Sequence, residues 1–193
     1  MRSVLFTLYA AGFSALASFV NADGLEFGST YPNGTMVIYS AANPGAGPRI
    51  QEPYFPATAG SSAVSGGSTI RNRSYICWDH FLDHRNCDDA VIAFRDALSN
   101  TESGNFFLRT RENNDWVRFV AGNVQVYACL EGRYWHWIVT NTELDIGLRG
   151  MDANCPRYKA GYMRGEDLGT FGRIIGKSRS DIPICQGTGT GRD

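Results

Sequence analysis

No charge of one sign dominates this sequence: 18 Lys and Arg stand against 19 Asp and Glu, a formal net charge of −1. A near-neutral surface offers neither the basic patch that nucleic acid needs nor the attraction an anionic membrane exerts, so neither is expected as a partner. After residue 22 the chain has no apolar run of the ~20 residues that a spanning helix requires. Catalytic signatures are missing as well: there is no G-x-S-x-G elbow, no P-loop and no dinucleotide fingerprint. The carboxylates Glu131, Asp145, Glu166 and Asp167 are too scattered to nominate a glycosidase pair, because that chemistry depends on a separation in space. The chain therefore reads as non-enzymatic, with no cofactor and no metal. Internal repeats are absent, and so is any Lys-Arg or Arg-Arg pair that would mark a removable pro-segment.

What the chain does have begins with an export signal. Arg2 supplies a single charge, an apolar run extends from Val4 to Val20, and Val20-Asn21-Ala22 is a small-residue cleavage site, so residues 1–22 read as a signal peptide. The sequons Asn33-Gly34-Thr35 and Asn72-Arg73-Ser74 would accept glycans at Asn33 and Asn72 in a eukaryotic host. All five cysteines lie between Cys77 and Cys185. In an exported chain they imply an oxidising compartment and a disulfide framework with one cysteine left over.

Residues 23–70 hold five of the seven prolines and read as a Pro/Gly/Ser-rich, partly disordered arm, with Met36 to Tyr39 as a possible edge strand. Residues 71–187 read as the folded domain and 188–193 as a polar tail. A helix is expected from Cys87 to Leu98, capped by Asn86, with Val91, Phe94 and Leu98 on its apolar stripe. Strands are expected at Phe106–Arg111, Trp116–Val120, Val124–Cys129 and Tyr134–Val139, joined as an antiparallel meander. Thr140 and Glu143 form a capping box for a second helix carrying Leu144, Leu148, Met151 and Cys155. A last short strand is expected at Arg173–Ile175. This order predicts an α+β fold: an antiparallel sheet with about two helices packed on it, stapled by disulfides.

Two clusters invite a chemical reading. His80 and His84 stand four apart, but Phe81 occupies the place where a zinc protease carries its glutamate, so a solvated loop between cysteines is the stronger reading. In Tyr134-Trp135-His136-Trp137-Ile138, Trp135 and Trp137 share one strand face and His136 the other. An exposed indole pair would suit a cell-wall glycan, whereas a packed face would make it core.

Cys77 at a domain start, Asn86-Cys87-Asp88-Asp89-Ala90 opening a helix, Asp115-Trp116-Val117-Arg118, Tyr127-Ala128-Cys129 and a closing Cys185 resemble the fungal extracellular-protein-two effector family. The chain departs from that pattern at Cys155, at Leu130-Glu131-Gly132-Arg133 and in its long N-terminal arm. The resemblance implies a secreted, necrosis-associated, non-enzymatic effector or toxin-like protein, acting as a single chain on an unknown host protein or cell-wall glycan. It carries no catalytic residues over. It also implies a framework of Cys77, Cys87, Cys129 and Cys185, preferably paired Cys87 with Cys129 and Cys77 with Cys185. Cys155 is then the extra cysteine, inert on its helix stripe.

Overall fold

The structure, a computed structural model, describes residues 24–31, 33–52, 62–64, 73–101, 104–109, 114–132, 136–167 and 171–185. The expected signal peptide (residues 1–22), the expected tail (188–193), Asn72 and Trp135 lie outside them. The fold is α+β. Strands β1 (Leu25–Thr30), β2 (Met36–Ser40), β3 (Arg49–Gln51), β4 (Ser62–Val64), β5 (Arg73–Phe81), β7 (Asn114–Ala121), β8 (Val124–Glu131), β10 (Lys159–Asp167) and β11 (Phe171–Arg179) form one antiparallel sheet ordered β3-β2-β1-β7-β8-β11-β10-β5-β4. Two remaining strands, β6 (Asn105–Arg109) and β9 (His136–Thr140), pair only with each other. Helices α1 (His84–Ser99) and α2 (Asn141–Asn154) cover one face of the large sheet.

Alternation along the strands assigns each face. On β7 and β8, Val117, Phe119, Val126, Ala128 and Leu130 turn toward the helices and pack with Phe94, Leu98, Leu144 and Met151. Trp116, Tyr127 and Cys129 turn the other way and pack with Met36, Ile38, Ile174 and Ile184. Every residue of β8 is buried because both of its faces are covered. Burying each such large side chain stabilises the fold by about 1.5–3 kcal/mol. The second face also holds a polar chain of contacts. Arg118, buried beside the Trp116 ring, donates to Glu26 at 2.7 Å and to Gln125 Oε1 at 2.6 Å, and Gln125 Nε2 donates to Ser178 Oγ at 2.9 Å.

Several expectations are corrected. Residues 25–51 are not a loose arm: β1 pairs with β7 from Leu25↔Phe119 to Thr30↔Asn114, and β2 and β3 extend the sheet beyond it. The folded unit therefore begins well before residue 71, and Met36–Tyr39 lies in an interior strand. The four central strands are also not one meander. Both edges of the β7–β8 hairpin are already taken, by β1 and by β11, so β6 and β9 pair with each other instead. Helix α1 starts one turn earlier than expected because Asp83, not Asn86, is its cap, with the Asn86 N–H donating to Asp83 Oδ1 at 2.8 Å. Thr140 caps α2 as expected, accepting from the Glu143 N–H at 3.2 Å. The last strand is nine residues long, and its partner β10 was not anticipated. Gly165, Gly172 and Gly176 sit inside these strands, Gly176 lying where any Cβ would meet the Tyr127 ring at 2.3 Å.

The cysteine pairing is corrected too. The disulfides are Cys77–Cys155 and Cys129–Cys185, each with Cα atoms 5.8 Å apart, and Cys87 is free. The sheet itself forbids the pairing implied by the resemblance. Cys129 faces the second side, whereas Cys87 sits on α1 above the helix side; Cys77 and Cys185 are separated in the same way.

Candidate interaction surface

Strands β6 and β9 form a short ribbon in the register Asn105↔Thr140, Phe107↔Ile138, Arg109↔His136. Its inner face, Phe106, Leu108, Trp137 and Val139, packs into the helix-side core. Its outer face presents Phe107, 60% exposed, beside Ile138, 45% exposed. The exposed His136 ring stacks on Phe107 with centroids 5.8 Å apart. The ribbon is held from beneath. The Trp137 indole N–H donates to Glu143 Oε2 at 2.7 Å, and Glu143 Oε1 accepts from Arg173 at 3.2 Å. The result is a strip anchored along its inner face, with two neighbouring apolar side chains and an imidazole in solvent, an arrangement suited to contact with a partner surface.

The indole face is thus the packed one. Trp137 is 4% exposed and is removed from any ligand-contacting role, while His136 does lie on the accessible face. Trp135 lies outside the described residues. Phe107 and Ile138 were not singled out in the sequence, because Phe106-Phe107-Leu108 is a continuous apolar run with no alternation to reveal which ring faces outward.

Asp115 joins the ribbon to the sheet. Its Oδ1 accepts from Ser29 Oγ at 2.7 Å and its Oδ2 from the Arg109 N–H at 3.2 Å. Burial pushes its carboxyl up to about 6, against the lowering effect of those two hydrogen bonds. A carboxyl whose folded pKa is raised contributes stability that is full below its unfolded value of about 3.9 and is lost as pH rises through the folded value. Asp115→Asn is expected to abolish this decline between about pH 4 and 6, read as the slope of urea midpoints against pH. An unchanged slope would show that Asp115 does not titrate in that window. His80 acts in the opposite sense. Burial, then the Arg179 cation, hold its pKa below the ordinary value, so its contribution is full near neutrality and is lost as pH falls through the folded pKa.

The two histidines are not brought together as a ligand pair. His80 lies on β5 against Trp78, whereas His84 opens α1 and stacks on Tyr158 at 4.0 Å. Among the described residues no group of three His, Cys, Asp or Glu is placed to hold a metal. Glu131 is on the second face and Asp145 on α2 above the first, so these carboxylates lie on opposite sides of the sheet. Cys87 is buried among Leu82, Val124 and Ala160, and burial pushes its thiol up to about 11. The native, unreduced protein is expected to resist iodoacetamide at pH 8 and to take up one label only in denaturant. Labelling of the folded protein, or three labels after unfolding, would contradict a single buried thiol.

No family model, curated protein or solved structure matches this chain. The resemblance to the extracellular-protein-two family therefore rests on the cysteine spacing and the few residues that carry it in the sequence. Among the described residues no helix is long and apolar enough to cross a membrane.

Proposed function

We propose that this chain is a secreted, non-enzymatic effector or toxin-like protein of a fungus, acting on host or competitor cells through a binding surface. The outer face of the β6–β9 ribbon is that surface. The observation that carries this reading is the exposed Phe107–Ile138 pair with His136 stacked beside it, on a ribbon whose opposite face is locked into the core. Large apolar side chains on a rigid backbone make good anchors because little side-chain entropy is lost when a partner covers them. The export signal and the two disulfides support secretion. The glycan-binding alternative built on Trp135 and Trp137 is weakened by the burial of Trp137.

The test is infiltration of purified oxidised protein into candidate host tissue, beside a reduced and alkylated control and a Phe107→Ser, Ile138→Ser variant. The parent alone is expected to elicit a response, with at least a tenfold higher dose needed for the variant, as for loss of about 1.4 kcal/mol of binding. The variant should fold normally, since both side chains are exposed. Equal responses from all three proteins would remove the proposal.

A further inference from the structure

The β1–β2 connection reads Tyr31-Pro32-Asn33-Gly34-Thr35 and contains one of the two sequons. Two backbone bonds close it. The Gly34 N–H donates to the Tyr31 carbonyl at 2.9 Å, and the Tyr31 N–H donates to the Thr35 carbonyl at 2.9 Å. Gly34 has φ +86°, a left-handed conformation that glycine adopts without strain, just before Thr35 returns the chain to the ladder. Asn33 Oδ1 accepts from the Thr35 N–H at 3.1 Å, so the carboxamide is held in an Asx turn at an exposed hairpin tip.

Thr30 and Met36 are paired in register, which makes Tyr31 and Thr35 the next rung. Side chains opposite one another on a rung leave the ladder on the same face. Tyr31 is 44% exposed and belongs to none of the buried clusters. An aromatic ring, a sequon asparagine and a sequon threonine therefore stand at alternate positions of one tight turn.

We infer that Asn33 carries an N-linked glycan whose first sugar packs its apolar C–H face on the Tyr31 ring, so that the glycan staples the β1–β2 hairpin. This rests on the secretory reading above, since the donor is a lipid-pyrophosphate-linked oligosaccharide used by the transferase of the secretory pathway. The bond that forms joins Asn33 Nδ2 to the anomeric carbon of the first N-acetylglucosamine. The bond that breaks joins that carbon to the pyrophosphate oxygen; the lipid pyrophosphate leaves with the electron pair, and Nδ2 gives up one proton to the transferase. The hydrogen bond from the Thr35 N–H draws density toward Oδ1, which makes the Nδ2 protons more acidic. Among the described residues Asn33 Nδ2 has no partner, so attaching the sugar breaks no hydrogen bond.

The full chain is expressed in a secreting yeast under its own leader and, in parallel, with residues 23–193 behind the host's leader. Medium and cells are blotted with and without an amidase that removes whole N-glycans, in Asn72→Gln and Asn33→Gln, Asn72→Gln backgrounds. The Asn72→Gln protein is expected to shift on amidase treatment and the double variant not to shift. Melting temperature is then compared for the untreated protein, for protein trimmed by an endoglycosidase that leaves a single N-acetylglucosamine, and for the fully stripped protein. The first two are expected to melt together, about 2–4 °C above the third. Tyr31→Ala should abolish that difference and Tyr31→Phe should keep it. Secreted protein without an Asn33 glycan overturns the inference, as does a glycan whose removal changes the melting temperature equally in the parent and in Tyr31→Ala. Retention of the own-leader chain inside cells, beside a normally glycosylated host-leader chain, would sink the secretory reading and with it the natural glycan; absence of the Asn33 glycan from the host-leader chain as well would instead be a failure of the glycan inference itself.

Discussion

Reduction of both disulfides is expected to remove most of the protein's stability at 25 °C. The bridges join residues 78 and 56 positions apart. By loop-closure entropy each restrains the unfolded chain by about 4 kcal/mol, against the roughly 5–15 kcal/mol by which domains are usually stable. The two should differ in what they release. Cys77–Cys155 ties strand β5 to the end of α2. Cys129–Cys185 pins the segment after β11 across the second face, where Ile184 covers Trp116 and Ile174 and Thr30 Oγ1 donates to the Ile184 carbonyl at 3.2 Å. A Cys129→Ala, Cys185→Ala variant is therefore expected to expose Trp116 and to lower the urea midpoint. Tryptophan fluorescence during urea titration, with and without reductant, reads both effects. Coincident transitions for oxidised and reduced protein would contradict the argument. Peptide mapping without reduction should recover 77 linked to 155 and 129 linked to 185, and a peptide linked through Cys87 would overturn the pairing.

Glu26→Ala is expected to cost about 3–5 kcal/mol, because it leaves the buried Arg118 guanidinium without its carboxylate. Arg118 has a side chain only 3% exposed and, among the described residues, is left with Gln125 Oε1 as its acceptor once Glu26 is cut back. Adding Arg118→Met should recover much of the loss, since an apolar side chain of similar length leaves no unpaired charge on the second face. The cycle is diagnostic of topology as well as of charge. Glu26 belongs to β1 and opposes Arg118 across the β1–β7 ladder, so the coupling exists only if the N-terminal strands are part of the sheet. Glu26→Ala protein with unchanged stability would mean that β1 does not pair with β7.

The elements readable from sequence are those whose signal is local. Thr140 and Glu143 cap α2 from within four residues, Val91, Phe94 and Leu98 mark α1 by their spacing, and β7 and β8 are rich in β-branched and aromatic residues. β1 was hidden because Leu25-Glu26-Phe27-Gly28-Ser29-Thr30 lies in a stretch whose glycines and prolines dominate any average, and its burial comes entirely from β7 and β2. β10 was hidden, and β11 was expected only at Arg173–Ile175, for a related reason: glycine disfavours strands, yet here glycines are the places where neighbouring side chains, such as Tyr127 over Gly176, fill the space.

The candidate surface divides along the same line. The sequence alone established an α+β chain of near-neutral charge that carries disulfides, because these depend on residue types and short spacings. Which cysteines meet, and whether Trp137 or Phe107 faces solvent, depended on which side of the sheet each residue occupies. That was settled only when β1 and β11 occupied both edges of the β7–β8 hairpin and left β6 and β9 to pair with each other. A sheet is an impassable layer, so a one-residue difference in parity decides a disulfide partner or an exposed ring, and nothing local in the chain records it.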